Sequence, residues 1–373
     1  MEKIKILMVL GNTRLEGTQA FIMNLLRNLD LEKFQIDWAV NNEGEGGGIS
    51  QQIRDFGCNI FFLPYFKVYN YFSFVKAWRI FLKGHHYDIV HAHSTNSAAI
   101  YLRIAKQLGC VTIAHSHSAG YRGNKIQQLA KRVFAKGVKH VADYWFACSD
   151  SAALRLFGRN YKTYPRYYTI PNAIDVEAFK YNEETARRVR KQLGITDTAL
   201  VCGHVGSFTS PKNHIFLLRI FDEVLKRNPD ARLVCCGIGE MLPAIKEMAG
   251  LMGIIDKITF TGAVLNVSEY MMAMDVFVFP SLFEGFPVSV IEAEASGLPI
   301  VMSDTITNEI DLTDLIHRYS IDETPDVWAK GICEIRFNDR LEYNSVIANT
   351  SYCIHSSSQL VSSLYFEMSR RSD

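Results

Sequence analysis

The sequence has almost no net charge, no long apolar run and no paired cysteines. Its 373 residues include 40 Lys and Arg against 39 Asp and Glu, a net charge of +1. This balance argues against a dedicated nucleic-acid-binding protein, because such proteins usually carry a strongly basic domain. No apolar run reaches the roughly 18 residues of a membrane-spanning helix, and Ile6–Leu10 is too short for the core of a signal peptide.

The cysteines indicate the redox environment. The eight cysteines form no C-x-x-C pair, and most lie in apolar runs, where a free thiol packs as a small hydrophobic group. Disulfide frameworks are typical of oxidising compartments. We therefore predict a reduced, cytoplasmic protein without a disulfide scaffold.

Short apolar runs alternate with helical patterns along the whole chain, which is typical of parallel α/β architecture. The turn formers Pro171 and Asn172 separate a first series of strands from a second. We predict two doubly wound, Rossmann-like domains, residues 1–175 and 176–345, followed by a helical segment, 346–373, that packs back towards the first. Ligands of doubly wound sheets bind at the carboxyl ends of strands, so the residues that follow each strand are the candidates for function.

Two glycine-containing loops join a predicted strand to a helix. Gly17 precedes the first helix, where backbone N–H groups can approach a ligand. Gly206–His214 makes the same connection in the second series, and Lys212 would stand beside a helix N-terminus, where charge and helix dipole both favour an anion. Taken alone, the first loop is also explained by a turn glycine, and the second by a solvated loop lysine.

The segment Pro280–Pro299 is the most informative part of the sequence. Glu284 follows a predicted strand, and Glu292 lies on the helix that starts near Val288. A carboxylate at such a position can accept hydrogen bonds from two vicinal sugar hydroxyls, as on a dinucleotide ribose. Two surface glutamates on an ordinary helix would explain Glu292 but not the whole run.

The run E-G-F-P-x4-E-A-x-A-x-G-x-P resembles the E-x7-E motif of retaining glycosyltransferases of family 4, which have the GT-B fold. The segments Tyr87–His93, Ile170–Asp175, Gly206–Asn213 and Val276–Pro280 resemble that family as well. The resemblance extends to about residue 315 and is greatest for bacterial enzymes of exopolysaccharide, capsule or O-antigen synthesis. It implies two Rossmann-like domains that face a cleft.

The resemblance implies a role for each matching residue. Glu292 would bind the ribose of a nucleotide-sugar donor, Glu284 the donor sugar, and Lys212 the diphosphate leaving group, whose developing charge needs stabilisation. The other residues that would contact the donor are Gly206, Ser207, Gly285, Phe286, Pro287, Val288, Gly262 and Gly17. UDP is favoured over GDP as the nucleotide, and no cofactor is expected.

Two features bear on the charge of the diphosphate. The family usually has an Arg directly after the glycine that matches Gly206, whereas this chain has Ser207, and Arg14 is a candidate replacement for the missing charge. Metal-dependent glycosyltransferases of the other main fold hold a divalent ion with an Asp-x-Asp motif. This motif is absent from the sequence, and we therefore predict no metal.

Histidines are concentrated at two predicted strand ends, His91 and His93 at one, His115 and His117 at the other. The resemblance implies a cleft histidine near the reacting sugar carbon, matched best by His115, with His117 as the alternative. His91 and His93 are expected to be packed or hydrogen-bonded, and a metal-binding cluster is an alternative.

The balanced net charge conceals a basic stretch, because residues 89–142 contain no Asp or Glu. Within it, residues 122–140 form a basic helical pattern with interleaved apolar residues, which suits an interfacial helix on anionic lipid. The cations predicted to contact the membrane are Lys131, Arg132, Lys136 and Lys139. A solvated basic face, with its apolar residues packed on the domain, explains the same pattern.

Together these features favour a retaining, metal-independent hexosyltransferase of surface polysaccharide synthesis. Its expected partners are a nucleotide-sugar donor, a polyprenyl-diphosphate-linked saccharide acceptor and the anionic inner face of the plasma membrane. Two alternatives are a GT-B enzyme of another class, such as an epimerase or phosphorylase, and a non-catalytic nucleotide-sugar-binding partner. The missing Arg at Ser207 makes the second alternative conceivable.

Overall fold

The computed structural model describes residues 2–13, 17–40, 49–94, 97–117, 135, 137–335 and 339–370. The chain divides into two compact units, the first formed by residues 1–173 with 354–373 and the second by residues 174–353. None of the helices within the described ranges is long and apolar enough to cross a membrane.

The first unit is built on a parallel sheet, which has seven strands in the described residues, in the order β3-β2-β1-β4-β5-β6-β7. The strands are β1 (Ile4–Leu10), β2 (Phe34–Val40), β3 (Ile60–Phe62), β4 (Ile89–Ala92), β5 (Val111–Ser116), β6 (Tyr144–Ala147) and β7 (Tyr167–Thr169). The helices that alternate with them are α1 (Gly17–Asn28), α2 (Ser50–Asp55), α3 (Tyr71–Gly84), α4 (Ala98–Gln107) and α5 (Asp150–Phe157). The strand order reverses between β1 and β4, so the sheet is doubly wound.

The second unit repeats this plan with a parallel sheet of six described strands in the order β10-β9-β8-β11-β12-β13. The strands are β8 (Val201–Val205), β9 (Arg232–Cys236), β10 (Ile258–Gly262), β11 (Val276–Phe279), β12 (Ile300–Ser303) and β13 (Ile316–Tyr319). The helices are α6 (Glu183–Gln192), α7 (His214–Arg227), α8 (Leu242–Leu251), α9 (Val267–Ala273), α10 (Val288–Ala295), α11 (Pro325–Glu334) and α12 (Leu341–Ala348). The strand order of this sheet reverses between β8 and β11.

Burial on both faces explains why the central strands are continuous apolar runs. All four residues of β11 are buried, as are the last five of β1. The edge strands β7 and β13 were not predicted, because each is short, only partly buried and rich in polar or aromatic residues.

The last helix, α13 (Ile354–Ser369), belongs to the first unit, although the chain enters it from the second. Tyr365 and Met368 on this helix are fully buried in the core of the first unit. The run Ser356–Ser358 lies within this helix, where the Ser358 hydroxyl donates to the carbonyl of His355 at 2.9 Å.

Candidate functional site

In the second unit, the loops after β8, β9 and β10 are tied together by backbone hydrogen bonds. The N–H of Gly206 donates to the carbonyl of Cys236 at 3.0 Å, and the N–H of Gly237 donates to the carbonyl of Gly262 at 2.8 Å. Gly237 has φ 145°, and a Cβ there would collide with the carbonyl of Gly206. Glycine is therefore required at 237 by the close approach of two loops.

Two further hydrogen bonds join the loop after β8 to the loop after β11. Asn213 adopts the left-handed conformation, with φ 56°, and its side-chain amide donates to the carbonyl of Pro280 at 3.2 Å. The N–H of Leu282 donates to the carbonyl of Pro211 at 2.8 Å. Side chains that follow two different strands are thereby brought to one place.

The pair brought together is Lys212 and Glu284. The Lys212 ammonium lies 2.9 Å from Oε1 of Glu284, and the two side chains are only 14% and 15% exposed. The same ammonium lies 4.6 Å from the ring centroid of Phe279, a cation–π contact. A Cβ at Gly206 would come within 3.0 Å of the Lys212 Cε, so the glycine leaves room for the lysine side chain.

Glu292 lies on α10, half-buried. Burial raises the pKa of Glu292 from 4.5 to about 7, and the positive charge of Lys212 opposes the rise. Within the described chain no group donates a hydrogen bond to this carboxylate. Its oxygens are therefore available to hydroxyl donors of a ligand.

The residues that open α10 contribute fewer N–H donors than expected. Pro287 has no N–H, and the N–H of Val288 donates to the carbonyl of Phe286 at 3.1 Å. The Phe286 ring stacks on Tyr352 with centroids 5.6 Å apart, so this side chain has a packing role. Among the described residues, no acceptor takes the N–H of Gly285 or Phe286, and these two groups remain open to an anion.

Glu294 is a site-positioning residue that the sequence analysis missed. Its Oε1 accepts hydrogen bonds from the N–H of Leu312 at 3.0 Å, the N–H of Thr313 at 2.9 Å and the Thr313 hydroxyl at 2.8 Å. The side chain is fully buried, and burial raises its pKa to about 7. Glu294 therefore anchors the helix that carries Glu292 to the segment between β12 and β13. The sequence feature that could have pointed to Glu294 is its position two residues after Glu292, in the run E-A-E.

Ser207 and Gly262 lie on the loops that edge this region. The Ser207 side chain is exposed and carries no charge, so Lys212 is the one cation of the loop 206–213, which the structure describes in full. Gly262 has φ 74°, and no heavy atom lies within 4 Å of the position a Cβ would take. The space beside Gly262 is therefore open.

In the first unit, four histidines meet at the carboxyl ends of β4 and β5, and we name them the histidine tetrad. Nε2 of His91 lies 3.2 Å from Nδ1 of His115, and Nδ1 of His93 lies 2.8 Å from Nε2 of His117. Residues two apart on a strand face the same side, which brings both pairs to one face. Ring nitrogens of His91, His93 and His115 all lie within 4.8 Å of one another, a spacing that could hold a metal ion.

Two residues from distant parts of the chain complete the tetrad. The Tyr365 hydroxyl lies 2.7 Å from Nδ1 of His91, and the Asn172 side-chain oxygen accepts a hydrogen bond from Nδ1 of His117 at 2.8 Å. Burial lowers the pKa of all four rings, that of His117 to about 4, so they are neutral at pH 7. His115 is only 1% exposed, whereas His117 is half-buried. The exposed edge of the tetrad is therefore His117.

The remaining predicted residues are only partly described. Gly17 begins α1. Arg14, together with Lys131, Arg132 and Lys136 of the predicted membrane helix, lies outside the described residues. Lys139 is half-buried, and its carbonyl accepts a hydrogen bond from the Trp145 indole at 3.2 Å.

Two family profiles match most of the chain between them. The profile of Glycosyltransferase Family 4 matches residues 15–178, and that of Glycosyl transferases group 1 matches residues 199–336. EpsF of Bacillus subtilis (strain 168), assigned as a glycosyltransferase, is 32% identical over 333 residues, which are 88% of this chain and 86% of that protein. The UDP-Gal:α-D-GlcNAc-diphosphoundecaprenol α-1,3-galactosyltransferase of Escherichia coli is 25% identical over 322 residues, 81% of this chain and 80% of that protein.

Solved structures show the same fold. Sucrose-phosphate synthase from Thermosynechococcus elongatus has a TM-score of 0.77 and 16% identity, covering 99% of this chain and 100% of that one. HepE from Anabaena in complex with UDP has a TM-score of 0.71 and 14% identity, covering 99% and 98%. The fold, the family profiles and the relationship to EpsF agree, and the chain belongs to the family 4 glycosyltransferases, with the GT-B fold.

Proposed function

We propose that this glycosyltransferase transfers a hexose from a UDP-sugar to a lipid-linked saccharide, with retention of anomeric configuration and without a metal ion, in surface polysaccharide synthesis. The observation that carries the proposal is the ion pair of Lys212 with Glu284, on a unit where Glu292 presents a carboxylate without a described donor.

The charge that develops on the leaving diphosphate calls for fixed positive groups. Lys212 supplies a full charge, and the N–H groups of Gly285 and Phe286 supply partial charges at the start of α10. In the ligand-free protein, Glu284 neutralises Lys212. A bound diphosphate competes for the ammonium and leaves the Glu284 carboxylate to accept hydrogen bonds from hydroxyls of the donor sugar.

The two remaining parts of the donor have their own contacts. The vicinal hydroxyls of the ribose donate to the carboxylate of Glu292, for which the ionised form is the better acceptor. The base lies along the backbone at Gly262, where the space is open. On the first unit, we assign contact with a sugar to His117, because His115 is buried within the tetrad and acts by holding it in place.

The names of relatives support the substrate classes. The Escherichia coli relative is named for galactosyl transfer from UDP-Gal to a diphosphoundecaprenol-linked sugar, and a relative from Staphylococcus aureus is named for capsular polysaccharide biosynthesis. HepE has been solved with UDP and with UDP-glucose. From these we infer a UDP-sugar donor, a lipid-linked acceptor and a peripheral position on the inner face of the plasma membrane.

A direct assay tests the proposal. The purified protein is incubated with UDP- and GDP-sugars and polyprenyl-diphosphate-linked saccharides, and the product is analysed for its new linkage and anomeric configuration. An α-linked product from an α-linked UDP-sugar supports the proposal, whereas an inverted product contradicts retention. Epimerised donor or sugar phosphate as the sole product would indicate another GT-B enzyme class, and binding of UDP-sugar without turnover would indicate a non-catalytic partner.

A further inference from the structure

One surface of the first unit exposes several large apolar side chains close together. Val68 and Tyr69, before α3, are 64% and 83% exposed, and Phe72 and Ile80, on α3, are 85% and 63% exposed. We name the exposed side chains among residues 65–83 the aromatic–basic surface. Exposed apolar patches of this kind mark sites that contact a partner or a membrane.

Helix α3 has two distinct faces. At 100° per residue, five exposed residues of this helix fall within an arc of about 100°, which we call its outer face. They are Phe72, Lys76, Arg79, Ile80 and Lys83. The opposite face is buried and consists of Phe74, Trp78, Phe81 and Leu82. The packing of the inner face fixes the outer face towards solvent, so its apolar residues are not part of the core.

The charge of this surface has one sign. Residues 56–87 contain no Asp or Glu, whereas Lys67, Lys76, Arg79 and Lys83 fall within them. No carboxylate in the described part of the chain forms a salt bridge with Lys76, Arg79 or Lys83. A neutral apolar partner would desolvate these cations without compensation, whereas an anionic one neutralises them.

A groove between α3 and α4 adjoins the same face. It has a volume of about 320 Å³ and is lined by the apolar side chains of Val75 and Ile100 together with Tyr71, Arg79 and Arg103. Neither arginine has a carboxylate partner in the described structure. Guanidinium groups bind phosphate oxygens with two parallel hydrogen bonds, so the groove suits a phosphate group next to apolar surface.

We propose that the aromatic–basic surface docks this enzyme on an anionic lipid bilayer. Phe72, Tyr69 and Ile80 enter the boundary between headgroups and acyl chains, and the cations of α3 bind headgroup phosphates while their aliphatic stems lie along the apolar boundary. Helix α3 starts at the carboxyl edge of the first sheet, the edge at which the histidine tetrad lies. Docking would deliver a lipid-linked acceptor to that edge, and this purpose, unlike the binding itself, rests on the proposed function.

Vesicle co-sedimentation tests the proposal with the full chain. Phosphatidylcholine vesicles with and without phosphatidylglycerol are compared for the wild type, for the charge variant K76A/R79A/K83A and for the apolar variant Y69S/F72S. We expect the wild type to bind the anionic vesicles and the charge variant to bind them about 100-fold more weakly, from three cations at about fivefold each. The apolar variant should also bind more weakly, and its residual binding should be lost at high salt.

Matched controls separate a local effect from loss of folding. The variant L251S/L265S removes two apolar side chains that are 80% and 79% exposed on the second unit, and it should bind vesicles as the wild type does. The rise of Tm on adding UDP reports the donor site separately, so a failed substrate proposal and a failed docking proposal give different results. In a Phe72→Trp variant, anionic vesicles should shift the added emission to the blue, and brominated acyl chains should quench it.

Three outcomes would overturn the docking proposal. The first is a wild-type protein that does not bind anionic vesicles, as expected if the surface binds another protein or a second copy of this chain. The second is binding that is unchanged in both the charge and the apolar variants. The third is binding lost only in K131A/R132A/K136A/K139A, which would move the contact to residues 122–140.

Discussion

The ammonium nitrogen of Lys212 lies 2.9 Å from Oε1 of Glu284, although one residue follows β8 and the other follows β11. Neither loop could place this pair alone. The hydrogen bonds from Asn213 to Pro280 and from Leu282 to Pro211 hold the two loops in register. The cation that we propose binds the diphosphate is therefore held in place by a carboxylate in the ligand-free protein.

The Lys212–Glu284 pair predicts that stability and activity can be separated by substitution. Lys212→Ala removes the charge that we propose stabilises the diphosphate, so kcat/KM should fall about 10²- to 10³-fold. It also leaves a poorly exposed Glu284 unpaired, which should lower Tm. In Lys212→Ala with Glu284→Ala, Tm should recover while activity stays low. Lys257→Ala, which removes a cation from an exposed contact with the Pro229 carbonyl, is the control. Recovery of activity in the double variant would contradict the assignment.

Glu292→Gln should stabilise the ligand-free protein and weaken donor binding. Burial raises the pKa of Glu292 from 4.5 to about 7. The folded protein therefore holds a proton that the unfolded chain has lost between those pH values, and the free energy of unfolding of the wild type falls as pH rises through this range. The Tm of the variant should exceed that of the wild type above pH 7, and the difference should disappear below pH 4.5.

The same substitution should weaken UDP binding about tenfold, because a neutral amide is a poorer acceptor for two ribose hydroxyls. Calorimetry at pH 8 measures the affinity, and thermal scans from pH 4 to 9 measure the stability. Glu342→Gln, an exposed glutamate on α12, should change neither quantity. Parallel pH profiles of wild type and Glu292→Gln would show that Glu292 does not titrate as the structure implies.

Glu294→Ala should destabilise the second unit by about 1–3 kcal/mol, because three donors from Leu312 and Thr313 would lose their buried acceptor. Glu294→Gln keeps one acceptor oxygen and should therefore lose less stability than Glu294→Ala. Urea unfolding of both variants measures the difference, with an unchanged slope showing that the unfolded state is not altered. A midpoint for Glu294→Ala equal to that of the wild type would show that the segment does not depend on this carboxylate.

The central strands could be predicted because burial on both faces makes a parallel strand an unbroken apolar run. This was the basis for predicting β1 and β11, and it failed at β7 and β13, each of which lies at one edge of its sheet. The edge strand β13 includes His317 and Arg318, and the Arg318 guanidinium donates to the Asp311 carboxylate at 2.6 Å. A charged strand held by contacts outside its own sequence gives no local signal.

The residues of the candidate site also divide into those that the sequence predicts and those that only the structure reveals. Lys212, Glu284 and Glu292 stand in local motifs, so their residue types and spacing were readable in the sequence. Tyr365 contacts His91 across 274 positions of chain, which no local pattern reveals. Asn172, taken as a turn former, is 4% exposed and holds His117 through its side-chain oxygen. Contacts made by the return of a distant segment depend on the fold and had to be observed.

Substitutions in the histidine tetrad should distinguish a residue that contacts the sugar from one that holds the tetrad in place. His117→Ala should lower kcat with a small change in Tm, because this ring is half-buried. His115→Ala opens a cavity at a residue that is 1% exposed, so Tm should fall by several degrees. Steady-state kinetics and thermal scans on both variants test this. The reverse pattern, with kcat lost in His115→Ala at unchanged Tm, would return the sugar contact to His115.

Removal of metal ions should leave turnover unchanged. In the proposed function the diphosphate charge is met by Lys212 and by the open N–H groups of Gly285 and Phe286, whereas the ring nitrogens that could hold an ion belong to the first unit. An ion bound by the tetrad would therefore change stability rather than the charge on the leaving group. We expect the same kcat before and after dialysis against EDTA, with the metal content of each sample measured. As a control, a glycosyltransferase with an Asp-x-Asp motif, treated in parallel, should lose activity. If chelation abolishes turnover and Mg²⁺ or Mn²⁺ restores it, the metal-independent mechanism is contradicted. A second outcome concerns the tetrad alone. If Zn²⁺ raises Tm at constant kcat, and His93→Ala abolishes that rise, the tetrad binds a metal that takes no part in the transfer.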